Sequence, residues 1–190
     1  MDRIVFLLEE RSMKILLDTL LPRLFPEISF ICLAHEGKHD LEKSIIRKLK
    51  AWKEPGVQFV IVRDNDDTDC LALKQKLKKL CDLAGRSDTL IRIVCQELEA
   101  WYFAEPKALV EAYGKSQLLL IENKSRYREP DKIHKPSKEI VKLIPEFQKL
   151  SGAKRLAKHL TRKGNRSNSY CVFMDGIEKI FSQMKPTNTK

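Results

Sequence analysis

The sequence has 190 residues, of which 43% are hydrophobic and 33% are charged, and it carries a formal net charge of +10 with a pI near 9.4. This composition is typical of a soluble globular protein long enough to bury a core, and it argues against a disordered chain. The positive charge favours polyanionic partners such as nucleic acid, although it does not identify one.

The cysteines argue against a zinc site or a disulfide framework. Five is an odd number, no two are spaced as CxxC, and several lie within apolar runs, where a thiol behaves as a small hydrophobic group. A reducing cytoplasm is therefore the expected location. The first apolar stretch is too short for a signal peptide and no later run could cross a bilayer, so we expect no membrane association.

The first 115 residues alternate between two kinds of apolar pattern. Runs rich in β-branched residues predict strands at 3–8, 28–34, 57–62 and 89–95. Segments with helical spacing follow them at 12–25, 39–52, 69–84 and 97–114, the last with room for one helix or two. Ser12 and Asp69 are predicted to be N-caps, and Gly85 is predicted to end the third helix.

This order predicts an α/β fold with a parallel four-stranded sheet between helices. Continuous apolar strands are buried on both faces, and right-handed helical crossovers join them. We assign residues 1–116 to this domain.

The composition changes in the remainder, residues 117–190, which we expect to pack on the first domain as a single structural unit. A polar, basic, proline-broken segment at 122–139 is predicted to be an exposed loop. Helices are predicted at 137–150, 152–160 and 167–184, and the final PTNTK is expected to fray. The sequence RKGNRSNS (162–169) fits either an anion-binding helix start or a plain capped loop.

Acidic residues cluster after three of the four predicted strands, and His35 and Glu36 follow the other one. In a parallel sheet the carboxyl ends of the strands share one edge, where ligands bind. The residues predicted to converge there are Glu9, Glu10, His35, Glu36, Asp64, Asp66, Asp67, Glu97 and Glu99.

Clustered carboxylates repel one another unless a cation neutralises them. Oxygen ligands without cysteine or paired histidine favour Mg²⁺ or Mn²⁺, which suits a phosphodiester substrate. The alternative is that each acidic residue only caps a helix, since all of these clusters lie at strand-to-helix junctions.

Three segments together resemble a Toprim-like family known mainly as a domain of unknown function in bacteria (domain of unknown function 4276). They are FLLEERSMKILLDTLLPRL, VQFVIVRDNDDTDC and ELEAWYFAEPKALVEAYG, within residues 3–114. The resemblance implies a Toprim/Rossmann-like fold. Toprim domains occur in topoisomerases, primases, RNA-maturation nucleases and the nucleases of phage-defence systems, some of which work beside an ATPase.

The resemblance also implies roles for particular residues. Glu9 matches the family's general acid/base, Asp64 and Asp66 match its Mg²⁺-binding Asp-x-Asp, and Glu97 or Glu99 would be a further metal ligand or a structural acid. Two positions depart from the family pattern: Glu10 stands where the family has glycine, and Met13 where it has a second glutamate.

The working hypothesis is Mg²⁺- or Mn²⁺-dependent cleavage of nucleic acid. The setting we expect for this activity is a bacterial defence or mobile-element system. Lys38, Lys124, Arg126 and Arg128 are the candidates for holding the polyanion, with Tyr127 available to stack on a base. Two rivals remain open. DNDDT also fits the aspartyl-phosphate motif of haloacid-dehalogenase-like phosphatases, and the domain could instead bind nucleic acid or an ATPase partner without catalysis.

Overall fold

The computed structural model describes residues 2–184, and the PTNTK segment lies outside the described residues. Four parallel strands form one sheet in the order β2-β1-β3-β4. Their bounds are Arg3–Leu8 (β1), Phe30–Ala34 (β2), Val57–Asp64 (β3) and Leu90–Val94 (β4). The predicted fold class, a parallel four-stranded sheet flanked by helices with a C-terminal helical extension, is confirmed, and the strand order is consistent with a Toprim/Rossmann-like arrangement.

Alternation along the central strands sends their side chains to two separate cores. Ile4, Phe6 and Leu8 of β1 face a core shared with the first helix, α1 (Arg11–Leu24), and with the C-terminal helices. Val5 and Leu7 face the opposite core, which is closed by α2 (Lys38–Ala51) and α3 (Cys70–Leu83). Burial on both faces explains why the strands read as uninterrupted apolar runs.

The chain after β4 builds the rest of the first core. Its helices are α4 (Glu99–Phe103), α5 (Pro106–Tyr113), α6 (Pro136–Leu143), α7 (Lys149–Leu156) and α8 (Asn168–Gln183), with short 3-10 helices at Ser116–Asn123, Ser125–Tyr127 and Pro130–Lys132. Phe173 of α8 packs on Phe6 and Trp101, with ring centroids 6.4 and 5.3 Å apart. The C-terminal segment therefore covers one face of the sheet.

Several predicted boundaries differ from the structure because proline and local capping override the helical pattern. The segment 137–150 is not one helix: α6 ends at Leu143, since Ile144 precedes Pro145 and adopts a non-helical conformation. The next helix begins at Lys149 rather than at residue 152. Ser12 is not an N-cap; it lies inside α1, whose N-cap is Glu10. Asp69 does cap α3, accepting a hydrogen bond from the Ala72 N–H at 2.6 Å, and Gly85 follows that helix with a φ of 73°.

The segment 122–139 is more ordered than the predicted exposed loop. It contains two of the 3-10 helices, and Tyr127 and Ile133 within it are buried. No helix among the described residues is long and apolar enough to cross a membrane. All five cysteines are free thiols.

Candidate active site

The carboxyl ends of β1 and β3 bring Glu9 and Asp64 together. Glu9 follows the last residue of β1, and Asp64 is the last residue of β3, two positions later than the predicted end of that strand. The Asp64 backbone N–H donates a hydrogen bond to the Glu9 carboxylate at 3.3 Å. Glu9 is therefore within reach of the Asp-x-Asp segment, as the sequence predicts.

Glu9 has a pKa of about 7 in this setting. Burial is the main cause because it disfavours the charged form, and the negative charge of Asp66 raises the pKa further. Arg63 and the Asp64 backbone N–H act in the opposite direction by stabilising the carboxylate. A group that titrates near neutral pH can both accept and donate a proton.

The side chain of Arg63 links Glu9 to the helices on the same face. Arg63 is 6% exposed, lies 3.7 Å from the Glu9 carboxylate and forms an ion pair with Glu42 of α2. Lys76 of α3 contacts the same Glu42 at 2.7 Å. These contacts hold the Glu9 carboxylate in position.

A second group of carboxylates comprises Glu10, Asp64 and Glu99, whose charges act on one another. We refer to these three residues as the inner acidic cluster. Burial raises the pKa of Asp64 well above its usual value, and Glu10, Glu9 and Glu99 raise it further. Glu99 is fully buried, and burial likewise raises its pKa to about 7.

Neither carboxylate oxygen of Glu99 has a hydrogen-bond partner among the described residues. The hydroxyl of the buried Tyr102, whose pKa is raised by burial and then by the charge of Glu99, is also unpartnered there. Buried polar groups are nearly always satisfied, so unpartnered oxygens beside other carboxylates indicate a place for a proton or a cation.

Lys149, the first residue of α7, supplies the positive charge nearest to the inner acidic cluster. Its ammonium group donates a hydrogen bond to Glu10 at 2.7 Å. Burial alone would lower the pKa of Lys149, but the charges of Glu99 and Glu10 outweigh burial and raise it. The lysine partly neutralises three carboxylates that would otherwise repel one another.

The loops beyond β3 and β4 contain strained backbone. Asp66, Asp67 and Gln96 have φ angles of 47°, 62° and 64°, in the left-handed region that residues other than glycine rarely adopt. The two loops hold each other through the hydrogen bond from the Asp66 N–H to the Gln96 carbonyl at 3.2 Å. Such strain is often found at functional sites, and here it fixes where Asp66 presents its carboxylate.

The other predicted metal ligands, Asp66 and Glu97, already bind other groups of the protein. The Asp66 carboxylate pairs with Lys38 at 3.1 Å, so this predicted nucleic-acid-binding lysine does lie at the sheet edge. Glu97 accepts a hydrogen bond from the Ser137 N–H at 2.7 Å and thereby ties the end of β4 to the start of α6.

Only some of the other residues predicted to contact nucleic acid are exposed and unpaired among the described residues. Lys124, Arg126 and Arg128 are exposed, although Arg126 pairs with Glu139. The prediction that Tyr127 could stack on a base is wrong. Its ring stacks on Phe103 at 5.0 Å between centroids, and its hydroxyl donates to Glu139.

Two further sequence features have structural roles. His35 is buried and its ring nitrogens contact the Leu8 carbonyl and the Ser44 hydroxyl, each at 2.7 Å. The segment 162–169 is a capped loop, because Ser167 caps α8 and the carboxylate of Asp131 accepts the Ser169 N–H at 3.1 Å. Asp131 thus occupies the position that an anion would take.

The donor chemistry of this region suits a hard divalent cation. Its available groups are carboxylate oxygens, and those of Glu99 are unpartnered. Across residues 2–184 no three His, Cys, Asp or Glu side chains are already arranged to hold a metal ion. Mg²⁺ usually binds only one or two protein carboxylates and keeps several waters, so it does not require such a preformed group.

The sequence predicts Glu10 at this edge but gives it no partner, and the alternation Ile4, Phe6, Leu8 places it on the Asp64 face. Sequence reasoning missed one member of the site. Lys149 had no local signal at all, because only the packing of α7 on α1 brings it to Glu10, 139 residues away.

One comparison with known proteins identifies the family, and another shows a similar fold. The family model described as a domain of unknown function (DUF4276) matches residues 8–178. Two structures of the C-terminal region of the Xanthomonas campestris pv. campestris OLD protein, phased with iodine and with mercury, are similar at 13% sequence identity. Their TM-scores are 0.52 and 0.53; the similarity covers 96% and 97% of this chain, and 97% and 98% of those chains. No curated protein matches the chain.

Proposed function

Because the chain belongs to the DUF4276 family, whose function is unknown, we propose a function from its site: a Toprim-type nuclease that cleaves nucleic-acid phosphodiesters with Mg²⁺ or Mn²⁺. The observation that carries the proposal is the convergence of carboxylates from the ends of three strands, with the unpartnered carboxylate of Glu99 among them. Carboxylates kept this close and this deeply buried are costly to the fold, and a divalent cation would offset that cost.

The residues proposed to hold the cation are Asp64 and Asp66, with Glu9, Glu97 and Glu99 as further candidates. Glu99 is the stronger of the last two, because Glu97 already accepts the Ser137 N–H. The chemistry that Mg²⁺ or Mn²⁺ supplies when bound is neutralisation of charge on the phosphate and on the attacking or leaving oxygen.

Glu9 is proposed to transfer the proton. Its pKa of about 7 means that both protonation states are populated near neutral pH, and Arg63 holds its carboxylate beside Asp64. Lys149 balances the charge of the inner acidic cluster, and Lys38 would meet the substrate phosphate at the outer side of Asp66.

The charge of the protein supports nucleic acid as the substrate class. A net charge of +10 attracts polyanions from a distance, whereas the acidic site would repel a phosphodiester in the absence of a cation. The exposed Lys124, Arg126 and Arg128 would extend the contact along the backbone of the nucleic acid. The free thiols fit a cytoplasmic protein of this kind, and an ATPase partner remains part of the proposal.

The test is cleavage of single- and double-stranded DNA and RNA with Mg²⁺, with Mn²⁺ and with EDTA. We expect cleavage only with a cation, and we expect Glu9→Gln and Asp64→Asn each to reduce it by about 10² to 10⁴-fold. Glu111→Gln is the matched control, since this exposed carboxylate on α5 lies outside the site.

Three results would contradict the nuclease proposal. Unchanged cleavage in both site variants would show that the activity does not belong to this site. Turnover of a small phosphate ester without activity on polynucleotides would favour the phosphatase, whose nucleophile would be Asp64. Binding of nucleic acid without cleavage under either cation would favour a non-catalytic module.

A further inference from the structure

The outer edge of β4 borders an apolar groove that the proposed active site does not use. In the strand order β4 is terminal, and among residues 2–184 no strand pairs with its outer side. The groove between β4 and α3 has a volume of about 410 Å³; it is lined by Leu71, Lys74, Gln75 and Lys78 from the helix and by residues 88–92, which lead into β4 and form its first half. Leu71 is 72% exposed and adds apolar surface to the groove.

The backbone of this edge is able to bind another strand. Within a parallel sheet, alternate residues direct their N–H and C=O groups to opposite neighbours. The Val94 carbonyl accepts the Asn65 N–H, so it faces β3, and the alternation turns Ile91 and Ile93 outward. The side-chain guanidinium of Arg92 donates a hydrogen bond to the Ile91 carbonyl at 3.1 Å. This bond occupies one of the outward-facing backbone groups of β4 and leaves those of Ile93 open.

Helix α8 restricts the direction of approach. The Arg92 side chain donates to the Val172 carbonyl at 2.9 Å, so α8 occupies one side of β4. The side that remains open is the groove toward α3, where a new strand could pair with β4 and place alternate side chains against Leu71.

The positive charge of the groove favours an acidic binding partner. Lys74 and Lys78 lie one turn apart on α3; Lys78 already pairs with Asp82 at 2.9 Å, whereas Lys74 has no ion-pair partner among residues 2–184. The one carboxylate of the lining, Asp88, already binds Arg86 at 3.1 Å. A second copy of this chain, with a net charge of +10, would bring the same cations together, whereas an acidic segment would neutralise them.

We propose that the groove between α3 and β4 is the docking site for an extended segment of a partner protein with alternating apolar and acidic side chains, which adds to β4 as a fifth strand. Its apolar side chains cover Leu71, and a carboxylate reaches Lys74. The proposal is independent of the proposed nuclease activity, because it uses no residue of the acidic site.

The probe is a labelled synthetic peptide of about six residues, the usual length of a strand, in which valine and glutamate alternate. Its binding is measured by fluorescence anisotropy against the same peptide with lysine in place of glutamate. We expect the acidic peptide to bind at least about tenfold tighter and Lys74→Glu to weaken it by about fivefold. Lys79→Glu makes the same charge change on the same helix outside the groove and should leave binding unchanged. In amide NMR spectra, Ile91 and Ile93 should shift on binding.

Failure of both peptides to bind, equal binding of the two, or equal losses in the Lys74 and Lys79 variants would overturn the proposal. So would sedimentation that shows a dimer of the protein alone which Lys74→Glu disrupts, since a second copy would then be the occupant. Lys74 is exposed, so its replacement does not endanger the fold.

Discussion

The Asp64 backbone N–H donates a hydrogen bond to the Glu9 carboxylate at 3.3 Å, which joins the carboxyl ends of the two central strands. This contact places an acid with a pKa of about 7 beside a buried aspartate whose pKa is raised well above its usual value. The buried negative charges of these carboxylates destabilise the fold, and binding of a proton or a cation would reduce that destabilisation. The first three predictions below depend on this effect.

The buried Glu99 should make stability fall as the pH rises when no divalent cation is present. Its pKa is raised from 4.5 to about 7, so its contribution to stability is fully present below pH 4.5 and is lost as the pH rises through about 7. Glu99→Gln should therefore stabilise the protein at about pH 8 in EDTA by about 1 to 3 kcal/mol, measured by urea unfolding. The gain should shrink toward pH 4.5. A constant gain at every pH, or an equal gain in Glu111→Gln, would contradict this.

Binding of Mn²⁺ or Mg²⁺ should depend on pH with the opposite sign. Protons compete with the cation for Glu9 and Glu99, whose pKa values are both about 7, so binding should weaken below neutral pH. We expect the cation to raise the Tm more at about pH 8 than at about pH 5.5. The prediction fails if the increase in Tm is the same at both pH values, or if it persists in Glu9→Gln/Glu99→Gln.

Lys149 should lower the pKa of Glu99 through its positive charge. Burial raises the pKa of Glu99, and Lys149 is the largest opposing influence. Lys149→Met should therefore raise that pKa further, as measured by NMR titration of the glutamate carboxyl carbons. Lys154→Met on the same helix is exposed and serves as the control. An unchanged titration of Glu99 in the Lys149 variant would remove this lysine from the site.

The exposed cations of the segment 122–139 should act on nucleic acid through salt-dependent contacts. Replacing Lys124 and Arg128 with alanine should weaken binding of single strands and reduce the slope of log K against log salt by about 0.7 per lost contact. Lys107→Ala removes an exposed charge on α5 and should leave the slope unchanged. Equal slopes for the unmodified protein, the Lys124/Arg128 variant and the Lys107 variant would show that nucleic acid does not contact the segment 122–139.

Asp131 should stabilise the C-terminal helix rather than take part in binding. Its carboxylate accepts hydrogen bonds from the Ser167 hydroxyl at 2.6 Å and from the Ser169 N–H at 3.1 Å, at the start of α8. Asp131→Asn should cost about 1 to 2 kcal/mol in urea unfolding, with cleavage otherwise intact. Asp175→Asn, at an exposed position of α8, should cost much less. A loss of cleavage without a loss of stability would assign Asp131 a different role.

The sequence by itself determined the alternation of strands and helices, the parallel sheet and the meeting of Glu9 with Asp64. These follow from local patterns, because apolar periodicity fixes the elements and the geometry of a parallel sheet fixes which strand ends lie together. It also determined the Asp69 cap and the turn at Gly85, which depend on neighbouring residues alone.

Only the tertiary structure decided the rest of the site. It placed Glu9 beside Arg63, brought Lys149 to Glu10, and committed Tyr127 to the core instead of the surface. Such outcomes depend on how helices far apart in the chain pack against the sheet, and no residue spacing encodes the burial or the electrostatic neighbours that set a pKa.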